Sequence, residues 1–264
     1  MSKYLTAYSI ALQETLQRRA TLLMDRVGGF AVVLSLYSFW SALLGGKPSF
    51  LGYTRAQMLS YVLIINMLRS MVFTGRGWLL VGEISSGRIS SYLVRPLSYH
   101  GYALSLDLAQ KTVHAVSAVL EIGLLAALAR GEVFVPRAAS SWAAFALSAA
   151  MASLIFFFLE FAVSTLAFWT SESGGPLFCF ELFLQFAAGA FFPLDVLPAA
   201  LRRALEATPF PYMVYFPARL LLGQISGREA AARLAAQAGW LAVAAVLSLA
   251  VWRRGLSSYA AEGG

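Results

Sequence analysis

Long apolar runs separated by short polar gaps set the pattern of this chain. Predominantly apolar stretches cover about Val27–Leu44, Met58–Thr74, Leu104–Ala129, Ser141–Trp169, Pro176–Phe192 and Ala232–Trp252. Each is near or above the roughly 17–25 residues a helix needs to cross a hydrocarbon core. None alternates with period two, so helices rather than a closed barrel are predicted. The first run stops at Gly45-Gly46-Lys47-Pro48, the third at Arg130-Gly131-Glu132, and the fourth at a tight turn over Thr170–Gly175. The fourth run is long enough to tilt or protrude. Six passes place both chain ends on one side.

Three segments fall outside that rhythm. Lys3–Arg26 reads as an amphipathic helix, with Leu5, Tyr8, Leu12, Leu16 and Leu23 on one face and Lys3, Glu14, Gln17, Arg18 and Asp25 on the other. Such a helix lies in the membrane interface rather than across it. A polar gap covers about 76–103, between the second and third runs. The third segment, about 193–223, holds Pro193, Pro198, Pro209, Pro211 and Pro217, five of the nine prolines. It is too apolar for a solvated loop and too broken for a span. Broken apolar backbone is tolerated near a membrane where protein covers it. Short re-entrant helices are therefore predicted there, one over Val196–Ala207 with Asp195 as its N-cap. Leu201 and Leu205 are expected to pack inward, with Arg202, Arg203 and Glu206 facing water.

Composition agrees with a membrane chain. The sequence has 264 residues, 59% hydrophobic and 12% charged, with a mean hydropathy of +0.70. Soluble domains carry about 25% charged residues. The net charge of +7 fits basic residues flanking spans and meeting anionic lipid. No basic stripe interleaves with aromatics, so nucleic acid is not an expected partner. With both ends inside, the charge balance is nine basic residues on each side. Leaving out the long connection before the last span reduces the outer count to four, Lys47, Arg55, Arg130 and Arg137, which favours cytoplasmic ends. The lone Cys179 makes no intrachain disulfide or multi-cysteine metal site. It is expected as a buried thiol, and His100 and His114 as interfacial imidazoles. No metal site is expected. The first run lacks a small-residue cleavage site and is read as a retained span.

Polar residues inside the runs carry the remaining chemistry. No phosphate-binding loop is present, because Gly46-Lys47-Pro48 lacks the upstream glycine and the following hydroxyl. No serine sits in a G-x-S-x-G elbow. Asn66 and Arg69 lie together in the second run. Asp107, Lys111, His114 and Glu121 share a face of the third, and Asp107–Lys111 is expected as an interfacial ion pair. Glu160 and Ser164 are one turn apart in the fourth run, Glu181 and Gln185 in the fifth. A charge near the bilayer centre costs about 2.5–3.5 kcal/mol on insertion scales, so it faces the bundle or a wet path. Asn66, Arg69, Glu121, Glu160, Glu181 and Gln185 are thus candidates for a substrate path, or for bonds that hold the bundle.

The gap after the second run reads Glu83-Ile84-Ser85-Ser86-Gly87-Arg88-Ile89, then Leu93-Val94-Arg95-Pro96-Leu97. The later segment reads Phe192-Pro193-Leu194-Asp195-Val196-Leu197-Pro198, Thr208-Pro209-Phe210-Pro211-Tyr212 and Tyr215-Phe216-Pro217. With the amphipathic lead and six spans, this order resembles the membrane subunit of an ABC-2-type ATP-binding-cassette exporter, in the branch of half-size permeases with separate ATPase subunits. The resemblance covers nearly the whole chain. It implies a single all-α permease domain over 1–264 in the bacterial cytoplasmic membrane, paired with an identical or sister permease over two ATPase subunits. It implies no cofactor on this chain, with ATP and Mg on the ATPase. Glu83, Ile84, Gly87, Arg88, Ile89, Leu93, Arg95 and Pro96 would form the coupling helix. Ile84, Ile89 and Leu93 would fill an apolar groove of the ATPase, and Glu83 and Arg88 would pair with its rim. Phe191, Phe192, Pro193, Pro209, Phe210 and Pro211 would belong to the outer gate.

Two other readings have less support. An ion-coupled secondary transporter calls for an inverted repeat and a helix broken at the midplane, and neither is visible. An intramembrane enzyme needs converging catalytic groups, whereas His114 has only Lys111 and Glu121 on its face. The substrate expected is an amphipathic small molecule or a lipid.

Overall fold

The computed structural model describes residues 2–43, 49–50, 53–128, 139–170, 174–225 and 227–262. Almost all of these are helical. In chain order the elements are α1 (Ser2–Gln17), α2 (Arg19–Leu43), β1 (Ser49–Phe50), β2 (Tyr53–Thr54), α3 (Arg55–Val72), α4 (Gly77–Ser85), α5 (Ser90–Leu93), α6 (Tyr99–Leu128), α7 (Ala139–Ser164), α8 (Gly174–Ala187), α9 (Ala199–Glu206), α10 (Tyr215–Leu221) and α11 (Gly227–Glu262). The two strands make one antiparallel pair, with Ser49 opposite Thr54. Gly45-Gly46-Lys47-Pro48, Arg130, Gly131, Glu132 and Arg137 lie outside the described residues, as do the side chains of Asp25, Arg55 and Glu121.

The protein is an all-α membrane protein. Arg19–Leu43, Ala139–Phe168 and Gly227–Tyr259 are each long and apolar enough to cross a bilayer. α3, α6 and the shorter apolar α8 complete the bundle. Local chemistry fixes several boundaries. Thr54 and Gln57 form a reciprocal cap at the start of α3: the Gln57 amide donates to Thr54 Oγ1 at 3.2 Å and the Thr54 amide to Gln57 Oε1 at 3.0 Å. Such a box satisfies two otherwise orphaned amides. α4 ends at Gly87, whose φ of +72° suits glycine.

The predicted interfacial helix is divided. The helix breaks at Arg18, and residues 19–26 continue directly into the first span as α2. α1 packs along the first half of α6. Its buried stripe runs through Tyr4, Ala7, Tyr8, Ala11 and Thr15, while Leu5 and Leu16 point away, 66% and 51% exposed. Small Ala7 and Ala11 let the two backbones approach, so these alanines rather than the leucines face α6. Tyr4 lies so close to Gly101 that a Cβ there would meet its ring at 2.9 Å.

α7 and α11 run side by side in the same direction and form the axis of the bundle. At one end, Ser148 of α7 donates to Gln237 Oε1 of α11 at 2.9 Å. Gln237 Nε2 in turn donates to the Ser148 and Tyr212 carbonyls at 2.8 and 2.9 Å. At the other end, Phe161 and Phe168 pack against Trp252. About 15 residues of α11 separate Gln237 from Trp252, roughly 22 Å of helix, most of the thickness of a hydrocarbon core. The proline-rich segment caps the first end. The α4–α5 segment sits at the second.

The proline-rich cap departs from its predicted detail. α9 starts only at Ala199, behind Pro198, because Leu194–Val196 forms a separate 3-10 turn. Asp195 therefore does not cap α9. It instead accepts from Arg202 Nη1 at 3.3 Å. Leu205 packs inward as expected, but Leu201 is 48% exposed. Residues 211–218 are buried throughout, which explains why so apolar a stretch tolerates broken backbone. Tyr61 Oη of α3 donates to the Gly189 carbonyl at 3.0 Å and the Tyr215 amide to the Ala188 carbonyl at 3.1 Å, tying the cap to α3 and α8.

Candidate functional site

The α4–α5 segment is a projection on a fixed base. α4 buries Gly77, Leu80, Val81, Glu83 and Ile84. Ile89, in the turn after α4, is fully buried, and burying such a side chain stabilises by about 1.5–3 kcal/mol. Around it Tyr92, Tyr99, Phe161, Phe168, Trp252 and Tyr259 form an aromatic floor in which Tyr99 stacks on Trp252 at 5.2 Å. The outer surface carries Arg88, Leu93, Val94, Arg95 and Pro96, all exposed, Val94 at 84%. Arg95 lies over the Tyr92 ring at 5.1 Å and Arg88 Nε donates to Ser86 Oγ at 3.1 Å.

Three of the sequence candidates change role here. Glu83 is 7% exposed and accepts a hydrogen bond from Tyr99 Oη, so its carboxylate is not on an outer rim. Burial, with Glu83 beside it, pushes the Tyr99 phenol up, which keeps the proton on Tyr99. Ile84 and Ile89 belong to the floor inside this chain rather than to the outer surface. The reason is periodicity: Leu80, Ile84 and the following Ile89 fall on the face turned toward α7 and α11. The chemistry predicts a sizeable effect. Tyr99→Phe removes this donor from a buried carboxylate, leaving it the Tyr92 hydroxyl, and is expected to destabilise the protein by about 1–3 kcal/mol. Thermal unfolding in detergent measures it, and an unchanged melting temperature would show that the Tyr92 hydroxyl alone satisfies Glu83.

A second constellation lies behind α4. Lys111 Nζ donates to Asp107 Oδ1 at 3.0 Å and to the Thr74 carbonyl. The expected ion pair forms and is buried within the protein, with side chains 5% and 1% exposed. Beside it the chain bends through Gly75-Arg76-Gly77 between α3 and α4. Glu160 of α7 enters this bend: a Cβ on Gly75 would lie 1.9 Å from its Oε2, and one on Gly77 would lie 2.8 Å from its Cγ. A Cβ in the bend therefore fits only if Glu160 moves, a constraint of space rather than of φ. The carboxylate meets the Gly77 amide at the N-terminus of α4, where helix dipoles favour negative charge. Glu160 also faces a cavity of about 290 Å³ lined by Thr74, Trp78, Phe156, Glu181 and Gln185. Trp78 Nε1 donates to Glu181 Oε1 at 2.9 Å.

Glu160, Glu181 and Gln185 thus come together, as their spacing suggested. Asn66 and Arg69 do not line that cavity. Arg69 lies over the Phe191 ring at 5.3 Å, and Phe191 packs on Phe186 at 5.1 Å. Phe192 joins the main core, Pro193 and Pro211 are buried, and Phe210 meets Phe183 at 5.2 Å, with Pro209 half-buried beside it. Glu121 is in α6 with its side chain outside the described residues. His100 and His114 are buried within the protein: His100 contacts Ser248 Oγ at 3.3 Å and His114 contacts Arg26. Cys179 is exposed, not buried, because α8 presents Phe178, Leu182, Phe183 and Phe186 outward with it.

A family model described as ABC-2 family transporter protein matches residues 30–263. This chain belongs to that family. Comparison with curated proteins gives no match. As an ABC-2 permease it is a membrane transport subunit that works with an ATPase subunit and is not itself the ATPase.

Proposed function

We propose that this permease is the membrane part of an ATP-driven exporter whose ATPase is a separate chain, and that the α4–α5 projection is the surface the ATPase pushes. The observation that carries the reading is the contrast between an exposed tip and an immobile base. Arg88, Leu93, Val94 and Arg95 offer a small apolar point with a basic rim. Ile84, Ile89 and the Glu83–Tyr99 bond fix that point to α6, α7 and α11. A force on the tip is then delivered to the helices that line the bundle. An apolar anchor ringed by charge is the usual composition of a docking hot spot.

In this reading two ATPase subunits, holding ATP and Mg, sit beneath two permeases, identical or sister chains, in the bacterial cytoplasmic membrane. Both ends of this chain then face the cytoplasm. The cap over 193–223 closes the opposite side. The substrate class that fits is an amphipathic small molecule or lipid, since the Glu160–Glu181–Gln185 cavity also has aromatic walls at Trp78 and Phe156.

The test is Arg88→Glu with Val94→Asp in the assembled transporter. Both positions are exposed, so folding and membrane insertion should be unchanged. Capture of the ATPase should weaken by about tenfold or more, and transport-linked ATP hydrolysis should fall with it. Wild-type capture and turnover in that variant would remove the projection as the point of contact.

A further inference from the structure

A second cavity, of about 150 Å³, lies where α1, α2 and α6 meet the bend before α4. Arg18, Arg76, His114, Gln110 and Thr21 line it, so donors converge from four separate parts of the chain. Arg18 occupies the break between α1 and α2, and Arg76 the bend between α3 and α4. Arg26 adds a third guanidinium through its contact with His114. Neither Arg18 nor Arg76 forms an ion pair among the described residues. One carboxylate, Glu14, shares the lining. Asp107 is within electrostatic range of Arg76 but is already engaged by Lys111.

Depth is readable from α2. Its first turns carry Arg19, Asp25 and Arg26, and from Val27 onward it is uncharged to Leu43. Charge giving way to an apolar run marks the headgroup level of a span. Leu22 lines the cavity, and Leu23, Met24 and Val27 are exposed beside it at 66%, 75% and 69%.

We propose that this cavity binds a phosphate-bearing anion, the headgroup of an anionic phospholipid in the leaflet next to the α4–α5 end. Guanidinium groups match phosphate oxygens with paired N–H donors, and the exposed apolar residues of α2 flank the acyl chains. Because Arg76 stands one residue before α4, the headgroup also braces the root of the projection. The site does not depend on what docks against the projection, so its test needs no ATPase.

The experiment uses the full chain in nanodiscs of phosphatidylcholine with or without phosphatidylglycerol. Co-isolated lipid is counted by native mass spectrometry and stability is followed by thermal unfolding. Wild-type protein should retain phosphatidylglycerol over phosphatidylcholine and melt higher with it. Arg18→Gln with Arg76→Gln should lower that retention by about tenfold or more. Arg18→Gln alone, at an exposed position, should lower it partly while leaving the melting temperature in pure phosphatidylcholine unchanged. Inorganic phosphate added to phosphatidylcholine discs separates the two sources of the anion. If it stabilises as fully as phosphatidylglycerol, the site stands and its ligand is a free anion. Equal retention of both lipids by the wild type, or undiminished retention in both variants, overturns the proposal.

Discussion

Asp107→Ala is expected to cost about 3–5 kcal/mol and to remove most folded protein, because it leaves the Lys111 ammonium buried without its carboxylate. Glu160, within electrostatic range of Lys111, should hold the loss toward the lower end. Replacing both partners by apolar residues of similar size, Asp107→Leu with Lys111→Met, should restore much of the folded yield, since it removes both charges together. Detergent extraction followed by size-exclusion melting curves measures all three proteins. A single Asp107→Ala variant that melts with the wild type would show that the pair does not hold α6 to the end of α3.

Gly75→Ala is the second substitution with a large expected effect. Its new Cβ would fall 1.9 Å from Glu160 Oε2, so the carboxylate must leave the N-terminus of α4 or the bend must open. Overpacking of this kind costs typically about 1–3 kcal/mol. Combining Gly75→Ala with Glu160→Ala should cost less than the sum of the two single changes, because the shortened side chain makes room. Simple additivity would mean that Glu160 does not occupy the bend.

The helical bundle was legible in the pattern of apolar runs, and so was the cap, because broken apolar backbone needs cover. Glu160, Glu181 and Gln185 could be found as polar residues at helical spacing within apolar runs. What lines up along one helix was readable; what lies across from it was not. Nothing along the chain indicates that Glu83 meets Tyr99, sixteen residues later, because that contact depends on how α4 and α6 cross. The face of α1 that meets α6 carries no strong mark in the sequence for a related reason: close packing on α6 selects Ala7 and Ala11, while Leu5 and Leu16 point away from the protein. Gly75 and Gly77 look like ordinary loop glycines in the sequence, and only the approach of Glu160 and Ser164 of α7 crowds them. His114 and Arg18 gave no joint signal because they sit on helices far apart in sequence.

The parallel α7–α11 pair has a mechanical consequence. It is braced at one end by Ser148, Gln237 and Tyr212 and at the other by Phe161, Phe168 and Trp252. Gly255 lets the pair close further, since a Cβ there would reach within 2.4 Å of the Phe168 ring. Two rods joined at both ends move as one body. For a half-length of roughly 11 Å, a tilt of about 10° about the midpoint carries each end by about 2 Å, in opposite directions. A pair tilting in this way would act as a see-saw, in which a small sideways displacement at the α4–α5 end reappears, reversed, under the prolines at the other.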